Sequence, residues 1–320
     1  LTHYSEEWFH PIFSRWAAAE LAKEDWDIIH TWSGVAEEVL QSLQGKQSLH
    51  LIMRGSAHIR VQARLLEEER LRTGAKQDRP SSWMIAREER EYVLAHAIIT
   101  LSTFALDSFL AEGISASKLE RLPLGANLKS FRPTSEVVEA RCRRIMSGSP
   151  LRVLYVGAVS FQKGFYDLAS VIRGLQGANV CFRSVGAIVP EIASVLSEVD
   201  NLIEFIPKRP QSELPHWYAW ADLFVFPTIQ DGYAVVLAQA NASALPILTT
   251  TNCGGPDLLR EGETGWILPI RTPDAFIERI RWCDAHREEL ANMVRGIYSE
   301  FKTRDWQDVA ADFEAICLSR

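Results

Sequence analysis

The sequence lacks long hydrophobic runs and paired cysteines. None of its apolar stretches reaches the roughly 18 residues of a membrane-spanning helix, and its first residues do not show the pattern of a signal peptide. The five cysteines are scattered and never spaced as Cys-x-x-Cys, which is typical of free thiols in a reducing cytosol. We therefore expect a cytoplasmic protein, and peripheral attachment to the inner face of the membrane is compatible with the sequence.

An excess of basic residues and a metal-ligand spacing are also absent. The formal net charge of −7 argues against a protein that binds nucleic acid by general electrostatics, so no nucleic-acid partner is expected. A local basic patch that faces phosphates is still compatible with this charge. No group of histidine, cysteine and aspartate residues has the spacing of a metal site, so no bound metal is expected.

What the sequence does contain is short apolar stretches that alternate with helical ones, as in a parallel α/β sheet. The predicted strands are 26–30, 49–53, 97–101 and 119–122 in the first half, and 151–156, 180–185, 202–206, 222–226, 246–249 and 266–268 in the second. The clearest linker lies between them, at Ser147 to Pro150. The 320 residues have room for two domains of about 150 residues each. Because the first half does not open with a strand and a glycine-rich turn, we expect a further N-terminal segment in the natural protein.

The segment from Phe224 to Gly255 has the most specific pattern. It combines a buried strand, a turn at 230–232, a helix from Tyr233 to Ser243, a second strand and a glycine turn. In α/β sheets this order builds a ligand cleft at the carboxyl ends of the strands. The first amides of the helix can face an anion, and a carboxylate stands just before them. The pattern indicates a ligand that carries both phosphates and hydroxyls.

A weaker phosphate signal follows the strand 151–156. Gly157 opens a loop that ends at Lys163 and Gly164, and a helix comes next. A strand, a glycine loop with a lysine, and a helix form a common phosphate-binding arrangement, although this loop lacks the full spacing of a P-loop. The alternative interpretation of Lys163 is an exposed loop lysine without a ligand.

Four stretches together resemble the group 1 (family four) retaining glycosyltransferases of the GT-B fold. The loop from Gly157 to Gly164 resembles their G-R-L-x-x-x-K-G loop, and Asp231-Gly232-Tyr233-Ala234 stands where they have E-G-F-G. The stretch CGGPDLLREGETGWILP matches their G-G-x-x-E-x-x-x-x-G-x-x-G-x-L-V-P run. The stretch AHAIITLSTFALDSFLAEGISASKLERLPLGANLKSFRP resembles the end of their acceptor domain. The match extends over most of the chain, from residue 26 to residue 316.

This resemblance implies an α/β protein of the GT-B fold, in which two Rossmann-like domains with parallel sheets face each other across a cleft. We expect an acceptor-side domain at 1–148 and a nucleotide-sugar-binding domain at 149–303. The segment 304–320, with a helix from Trp306 to Leu318, is expected to cross back to the first domain. The implied enzyme is a retaining hexosyltransferase that uses a UDP- or GDP-sugar and a cell-envelope, lipid-linked or polysaccharide acceptor. The family usually works without a bound metal, and no cofactor is expected.

The resemblance also implies roles for residues of the second domain. Lys163 matches the lysine that neutralises the departing diphosphate. Ala158 stands where the family has an arginine, and Arg209 is a candidate for the missing charge. Asp231 and Gln239 replace two acidic residues, of which the first serves the transferred sugar and the second the ribose. Their alternatives are capping by Asp231, which is compatible with a sugar contact, and helix packing by Gln239. The other expected donor-binding residues are Gly157, Gly232, Tyr233 and Ala234, the last three through amides that face the phosphate or the hexose.

Two residues of the first domain complete the expected catalytic set. The family often has a histidine after the strand that corresponds to 49–53. Arg54 stands there in this sequence, and His58 follows shortly after it. His58 either contacts the sugar or the acceptor, or it is an ordinary histidine at a helix start. The expected catalytic residues are therefore Lys163, Asp231, His58 and Arg54.

Two other interpretations remain open at the level of the sequence. Ala158 and Gln239 depart from the family pattern, which is compatible with a degenerate protein that binds a nucleotide-sugar with little or no turnover. An epimerase or a phosphorylase on the same fold fits the motifs less closely than a group 1 transferase does.

Overall fold

The computed structural model describes residues 2–75 and 79–320, in which ten strands form two sheets. The strands are β1 (Ile28–Trp32), β2 (Leu49–Arg54), β3 (Ala97–Thr100), β4 (Leu119–Arg121), β5 (Leu151–Val156), β6 (Val180–Val185), β7 (Ile203–Ile206), β8 (Leu223–Phe226), β9 (Ile247–Thr250) and β10 (Gly265–Leu268). The first sheet has the order β1-β2-β3-β4, and the second has the order β10-β9-β8-β5-β6-β7. Neighbouring strands are parallel in both sheets.

Helices connect the strands and cover the sheets. In the first half they are α1 (Thr2–Leu21), α2 (Glu37–Ser42), α3 (Ile59–Thr73), α4 (Ser82–Leu94), α5 (Thr103–Ala111) and α6 (Ser135–Met146). In the second half they are α7 (Phe165–Gly174), α8 (Ala193–Leu196), α9 (Leu214–Trp220), α10 (Val235–Ala242), α11 (Gly255–Leu258), α12 (Pro273–Ala285), α13 (Arg287–Glu300) and α14 (Trp306–Leu318). Within the described ranges, none of these helices is both long enough and apolar enough to cross a bilayer.

The first sheet is covered on both faces, and the apolar residues in the middle of its central strands are buried. Successive residues of a strand point to opposite faces, so Leu51 and Ile52 belong to different cores. Ile52 packs among side chains of α2, α4 and α5, whereas Leu51 packs on the side that α14 covers through Val309 and Phe313. The last helix therefore contacts the first sheet, and it begins and ends at the residues that the sequence predicts.

The second sheet lies in one large apolar core. β8 and β9 are buried at every position. α6 is not predicted from the sequence; it packs against α13 and places Val138, Cys142 and Ile145 in this same core. The chain thus enters the second core before the linker at Ser147 to Pro150. The residue bounds of the two domains stay a prediction.

Each of the ten predicted strands is present, and its bounds differ from the prediction by two residues at most. The largest shift is in β1, which begins at Ile28 and continues through Trp32. The agreement follows from the apolar character of these strands, since both faces of a covered parallel sheet are buried.

Two crossings of the chain between the sheets, at 122–128 and 301–305, touch each other. The amide of Ala126 donates to the carbonyl of Arg304 at 3.1 Å. Gly125 lies directly against the carbonyl of Asp305, and Arg304 Nε donates to the carbonyl of Pro123 at 3.2 Å. These contacts tie the two crossings into one junction.

Candidate functional site

The loop between β5 and α7 is fixed against the carboxyl end of β8. Gly164 has a φ of +75° and lies against the carbonyl of Pro227, where any side chain would clash, so glycine is required. The amide of Ile229 donates to the carbonyl of Gln162 at 3.0 Å. These contacts hold Lys163 beside the turn that follows β8.

Lys163 and Asp231 meet at this turn. Lys163 Nζ lies 2.5 Å from Asp231 Oδ2, and the two side chains are 25% and 17% exposed. A cation and a carboxylate at the start of a helix can together hold a phosphate and a sugar hydroxyl. The structure thus brings these two predicted residues together, while their roles toward a ligand stay predictions.

The start of α10 differs from the prediction. The helix begins at Val235, two residues later than expected, after Ala234 with a left-handed backbone at φ 65°. Asp231 Oδ1 accepts from the amides of Tyr233 at 3.1 Å and Ala234 at 3.0 Å, so these amides do not face open solvent. Asp231 therefore fixes the turn just before the helix, and α10 itself has no side-chain cap, so the capping alternative is not met in its strict form. Its carboxylate thus lies just before the start of α10, where negative charge is favourable.

A cavity of about 440 Å³ lies beside the same loop, at the carboxyl ends of β5, β6 and β7. Gly157, Ala158, Lys208, Arg209 and Gln239 are among the residues that line it. Arg209 thus shares a cavity with Ala158, the position at which the related motif has an arginine. Lys208 was not among the residues predicted from the sequence. Its place beside Arg209, shortly after a buried strand, could have indicated it as a second cation at the site.

Gln239 and Arg209 have free bonding capacity in this cavity. Gln239 is buried, and its Oε1 accepts from the hydroxyl of Tyr218 at 2.9 Å. Its amide nitrogen has no hydrogen-bond partner among the described residues. The ion pair of Arg209 with Glu213 is long, at 4.0 Å. Both side chains can therefore bind a polar ligand without giving up a strong internal contact.

The first domain touches the site through the turn after β2. Gly232 lies against the carbonyl of Gly55, and the hydroxyl of Ser56 donates to Gln230 Oε1 at 2.6 Å. Gln230 is fully buried, and its Nε2 has no hydrogen-bond partner in the described part of the chain. These contacts bring the two domains together next to Asp231.

Arg54 lies at the border of the cleft, held by side chains of its own domain. Its terminal nitrogen donates to Gln62 Oε1 at 2.6 Å, and its Nε lies 3.0 Å from Glu88 Oε2. It lines a cavity that Gln162 of the β5–α7 loop also lines. A catalytic role for Arg54 stays a prediction.

His58, by contrast, is not brought to the cleft. Its side chain is 2% exposed, and its ring packs against Tyr92 and Phe109 at centroid distances of 5.1 and 4.9 Å. Its Nδ1 accepts from the amide of Arg60 at 3.2 Å and caps α3. Burial lowers the pKa of this imidazole to about 4, so the ring is neutral at pH 7. The structure favours the helix-start interpretation of His58 over the catalytic one.

Two further kinds of group are relevant to the site: clusters of metal-ligating side chains and the thiol of Cys253. In residues 2–75 and 79–320, no group of three or more His, Cys, Asp and Glu side chains could hold a metal ion. Cys253 lies behind the glycine turn after β9, and burial raises the pKa of its thiol to about 11. Among the described residues, the side chains that meet at the site offer charges and hydrogen bonds.

The fold defines the class of protein: two parallel α/β domains in contact across a cleft, as in GT-B glycosyltransferases. The chain is similar to a sucrose-phosphate synthase from Thermosynechococcus elongatus, with a TM-score of 0.71, 20% identity, and coverage of 96% of this chain and 77% of the other. It is also similar to Anabaena HepE in complex with UDP, with a TM-score of 0.70, 14% identity, and coverage of 96% and 82%. At these identities the likeness concerns the fold.

Comparison of sequences points to the same class of enzyme. Residues 150–284 match the family described as "Glycosyl transferases group 1". Sulfoquinovosyl transferase SQD2 of Arabidopsis thaliana is 24% identical over 66% of this chain and 42% of its own length. CapM of Staphylococcus aureus, a capsular polysaccharide biosynthesis glycosyltransferase, is 26% identical over 58% and 49%. The matches thus span less than half the length of these curated relatives. Over residues 150–284 the chain is therefore similar to the group 1 glycosyltransferases, which confirms the resemblance in its motifs.

Proposed function

We propose that this protein is a retaining glycosyltransferase, which moves a hexose from a nucleotide-diphosphate sugar to a glycan or lipid-linked acceptor. The observation that carries the proposal is the contact of 2.5 Å between Lys163 Nζ and Asp231 Oδ2 at the end of β8. The ammonium suits the diphosphate of such a donor, and the carboxylate suits the hydroxyls of its sugar. The family relationship supports the same chemistry.

Lys163 stabilises the leaving group in this proposal. Departure of the sugar builds negative charge on the diphosphate, and a fixed cation beside it lowers the barrier electrostatically. Without a donor, the ammonium pairs with Asp231. Binding of the diphosphate replaces this pair with a stronger one, because the ligand carries more negative charge than a carboxylate.

Asp231 orients the transferred sugar. One carboxylate oxygen stays on the amides of Tyr233 and Ala234, and the other is free to accept from a sugar hydroxyl once Lys163 has turned to the phosphate. The two amide bonds fix the orientation of the carboxylate before the donor binds. Such pre-organisation lowers the entropic cost of placing the sugar.

Arg209 and Lys208 supply the charge that Ala158 lacks. Both cations line the cavity that also contains Ala158 and Gln239. A guanidinium there binds phosphate oxygens in a bidentate manner, as the family arginine would. With Lys163, it provides the positive charge that lets transfer proceed without a metal ion. The amide nitrogen of Gln239 then donates to the ribose.

The names of related proteins guide the choice of substrates. HepE has been solved with UDP and with UDP-glucose, so UDP-sugars are the first donors to test. The name of CapM refers to capsular polysaccharide biosynthesis, which supports a polysaccharide or envelope acceptor here. We place the reaction in the cytoplasm, with peripheral contact at the inner face of the membrane where a lipid-linked acceptor is used.

The proposal is tested with a panel of UDP-, GDP- and ADP-sugars. Donor binding is followed by calorimetry, and turnover by release of the nucleoside diphosphate. Lys163→Ala is expected to lower kcat by about 10²–10³-fold, because it removes a cation from the developing charge. Asp231→Asn is expected to weaken discrimination among the sugars. Lys23→Ala is the matched control, since Lys23 is exposed and pairs with Glu20.

The outcomes separate the alternatives. Retention follows from the anomeric configuration of the product, measured by NMR. A donor that binds without hydrolysis or transfer would identify a binding protein instead of an enzyme. Unchanged turnover in both site variants would show that the site lies elsewhere.

A further inference from the structure

A cavity of about 310 Å³ lies in the first domain, at the carboxyl ends of β1 and β2. Its lining includes Arg54, Gln62 of α3 and Glu88 of α4, and on the side of the second domain it includes Gln162. Because Gln162 directly precedes Lys163, the cavity borders the proposed site of transfer. Its volume is at the lower end of the roughly 300–1,000 Å³ of small-molecule sites, which suits one sugar-sized ring. We call it the Arg54 cavity.

The polar groups of the Arg54 cavity are held in fixed positions before any ligand binds. Glu88 is buried, and its Oε2 accepts from the hydroxyl of Tyr92 at 2.6 Å and lies 3.0 Å from Arg54 Nε. Gln62 Oε1 accepts from the terminal nitrogen of Arg54 at 2.6 Å. Among the described residues, the contacts of Glu88 with Tyr92 and Arg54 both fall on Oε2, so Oε1 has lone pairs to spare.

The charges around the cavity are balanced. Two acids, Glu6 and Glu88, and two arginines, Arg54 and Arg79, line it. Arg54 is paired with Glu88, and Arg79 is paired with Glu67 outside the lining. A phosphate in the cavity would therefore meet a buried carboxylate and arginines that already have partners, and such like-charge contact is costly. A hydroxyl both donates and accepts, so it fits this mixture of carboxylate, guanidinium and amide groups.

We propose that the Arg54 cavity receives the acceptor, and that the acceptor presents an uncharged, hydroxyl-bearing ring, a sugar or a cyclitol, with no phosphate on it. This rests on the proposed function. Glu88 and Gln62 are then specificity-determining residues: Glu88 accepts from one hydroxyl of the ring and repels an anionic group. Gln62 fixes the guanidinium that donates to another hydroxyl.

The test compares neutral and phosphorylated acceptors at one donor. The probes are methyl glucoside and myo-inositol, each with and without a phosphate, and the readout is kcat/KM for transfer. The wild type is expected to prefer the neutral form of each pair by at least tenfold. Glu88→Gln keeps the size of the side chain and removes its charge. The kcat/KM for the phosphorylated acceptor, divided by that for the neutral acceptor, is therefore expected to rise about tenfold. Gln62→Glu adds a charge and lowers the same ratio by a similar factor.

Slow hydrolysis of the donor without acceptor separates this proposal from the proposed function. Hydrolysis is measured beside transfer in both variants, so that the acceptor ratio is read only on protein that still cleaves the donor. Glu89→Gln is the control: it lies on the same helix but pairs with Arg60 outside the cavity. Gln62 is only half-buried, so Gln62→Glu remains informative if Glu88→Gln folds poorly.

A wild type that prefers the phosphorylated acceptors would overturn the proposal. So would hydrolysis that no neutral probe converts into transfer, or an acceptor ratio that stays the same in both variants. A wild type that neither hydrolyses any donor nor transfers its sugar would instead refute the proposed function itself.

Discussion

Ala234 is held in the left-handed region of backbone space, with φ 65° and ψ 74°. This conformation costs an L-residue about 1–2 kcal/mol, whereas glycine adopts it readily. The group 1 motif has glycine at this position. Two contacts keep the backbone of Ala234 in this conformation: the hydrogen bond from its amide to Asp231, and its place directly before the first turn of α10.

Ala234→Gly is therefore expected to raise the free energy of unfolding. The gain is up to about 1 kcal/mol, because the flexibility of glycine in the unfolded chain offsets part of the relieved strain. Chemical denaturation measures it. Ala240→Gly, in the interior of the same helix, is the opposite control and should lower stability by about 1 kcal/mol. A loss of stability in Ala234→Gly would show that this backbone is not strained.

At the scale of elements, the start of α3 depends on a buried neutral histidine. Nδ1 of His58 accepts from the amide of Arg60, and the amide of His58 donates to Ser108 Oγ at 2.7 Å. Protonation would remove the acceptor and place a charge between Tyr92 and Phe109. The folded state therefore prefers the neutral ring.

This preference makes stability depend on pH. Burial lowers the pKa of His58 from 6.5 to about 4, so its contribution is complete above pH 6.5 and is lost as the pH falls toward 4. From pH 7 to pH 5, the free energy of unfolding should fall by about 2 kcal/mol through this residue. His58→Asn keeps a capping acceptor and removes this part of the slope. Equal pH slopes for the two proteins, measured by denaturation, would show that another group titrates.

Local patterns predicted most elements because the elements carry their own apolar signal. β5, β6 and α14 have the predicted bounds. α6 was missed because its many charged residues hide the helical spacing of Val138, Cys142 and Ile145, which is visible once the core is known.

Contacts between segments that are distant in the sequence were harder to predict. Glu91 of α4 accepts from the amide of Ala36 at 2.8 Å and thus holds the start of α2, a cap that no local pattern indicates. Lys163 and Asp231 were both assigned to the donor site, since both follow strands of one sheet, whose carboxyl ends share an edge. Their direct contact was not predicted. The burial of His58 and the contact of Ser56 with Gln230 depend on how whole elements and domains pack, so the sequence left them undetermined.

At the scale of the molecule, ion pairs between α3 and the second domain join the two domains. Arg72 lies 2.6 Å from Asp167 Oδ1 and also pairs with Glu69, and Arg271 Nε lies 2.9 Å from Glu69 Oε2. Glu69 and Asp167 are buried, and burial raises the pKa of Asp167 while Arg72 opposes this shift. Since α3 belongs to the first domain and Asp167 and Arg271 to the second, these residues form an interdomain clamp.

Arg271→Met is expected to loosen this clamp. It leaves buried Glu69 with Arg72 as its remaining cation, which should favour opening of the domains by about 2 kcal/mol. Hydrogen exchange at the end of α3 and the first turn of α7 should become faster. The control, Arg260→Met, breaks only exposed pairs with Glu263 and Glu300 and should leave exchange unchanged. Unaltered exchange in Arg271→Met would show that the clamp does not hold the domains together.

The junction of the two chain crossings sets the geometry of any such opening. The amide of Ala126 is bonded to the carbonyl of Arg304, and Gly125 lies against Asp305. Because the two crossings are joined in this way, we expect them to act as one hinge and not as two independent linkers. We expect such a junction to favour opening of the domains along one arc over sliding of one domain across the other. Gly55 lies against Gly232 in this structure, and we expect each closure to restore that same contact, so that the two halves of the cleft meet in one alignment.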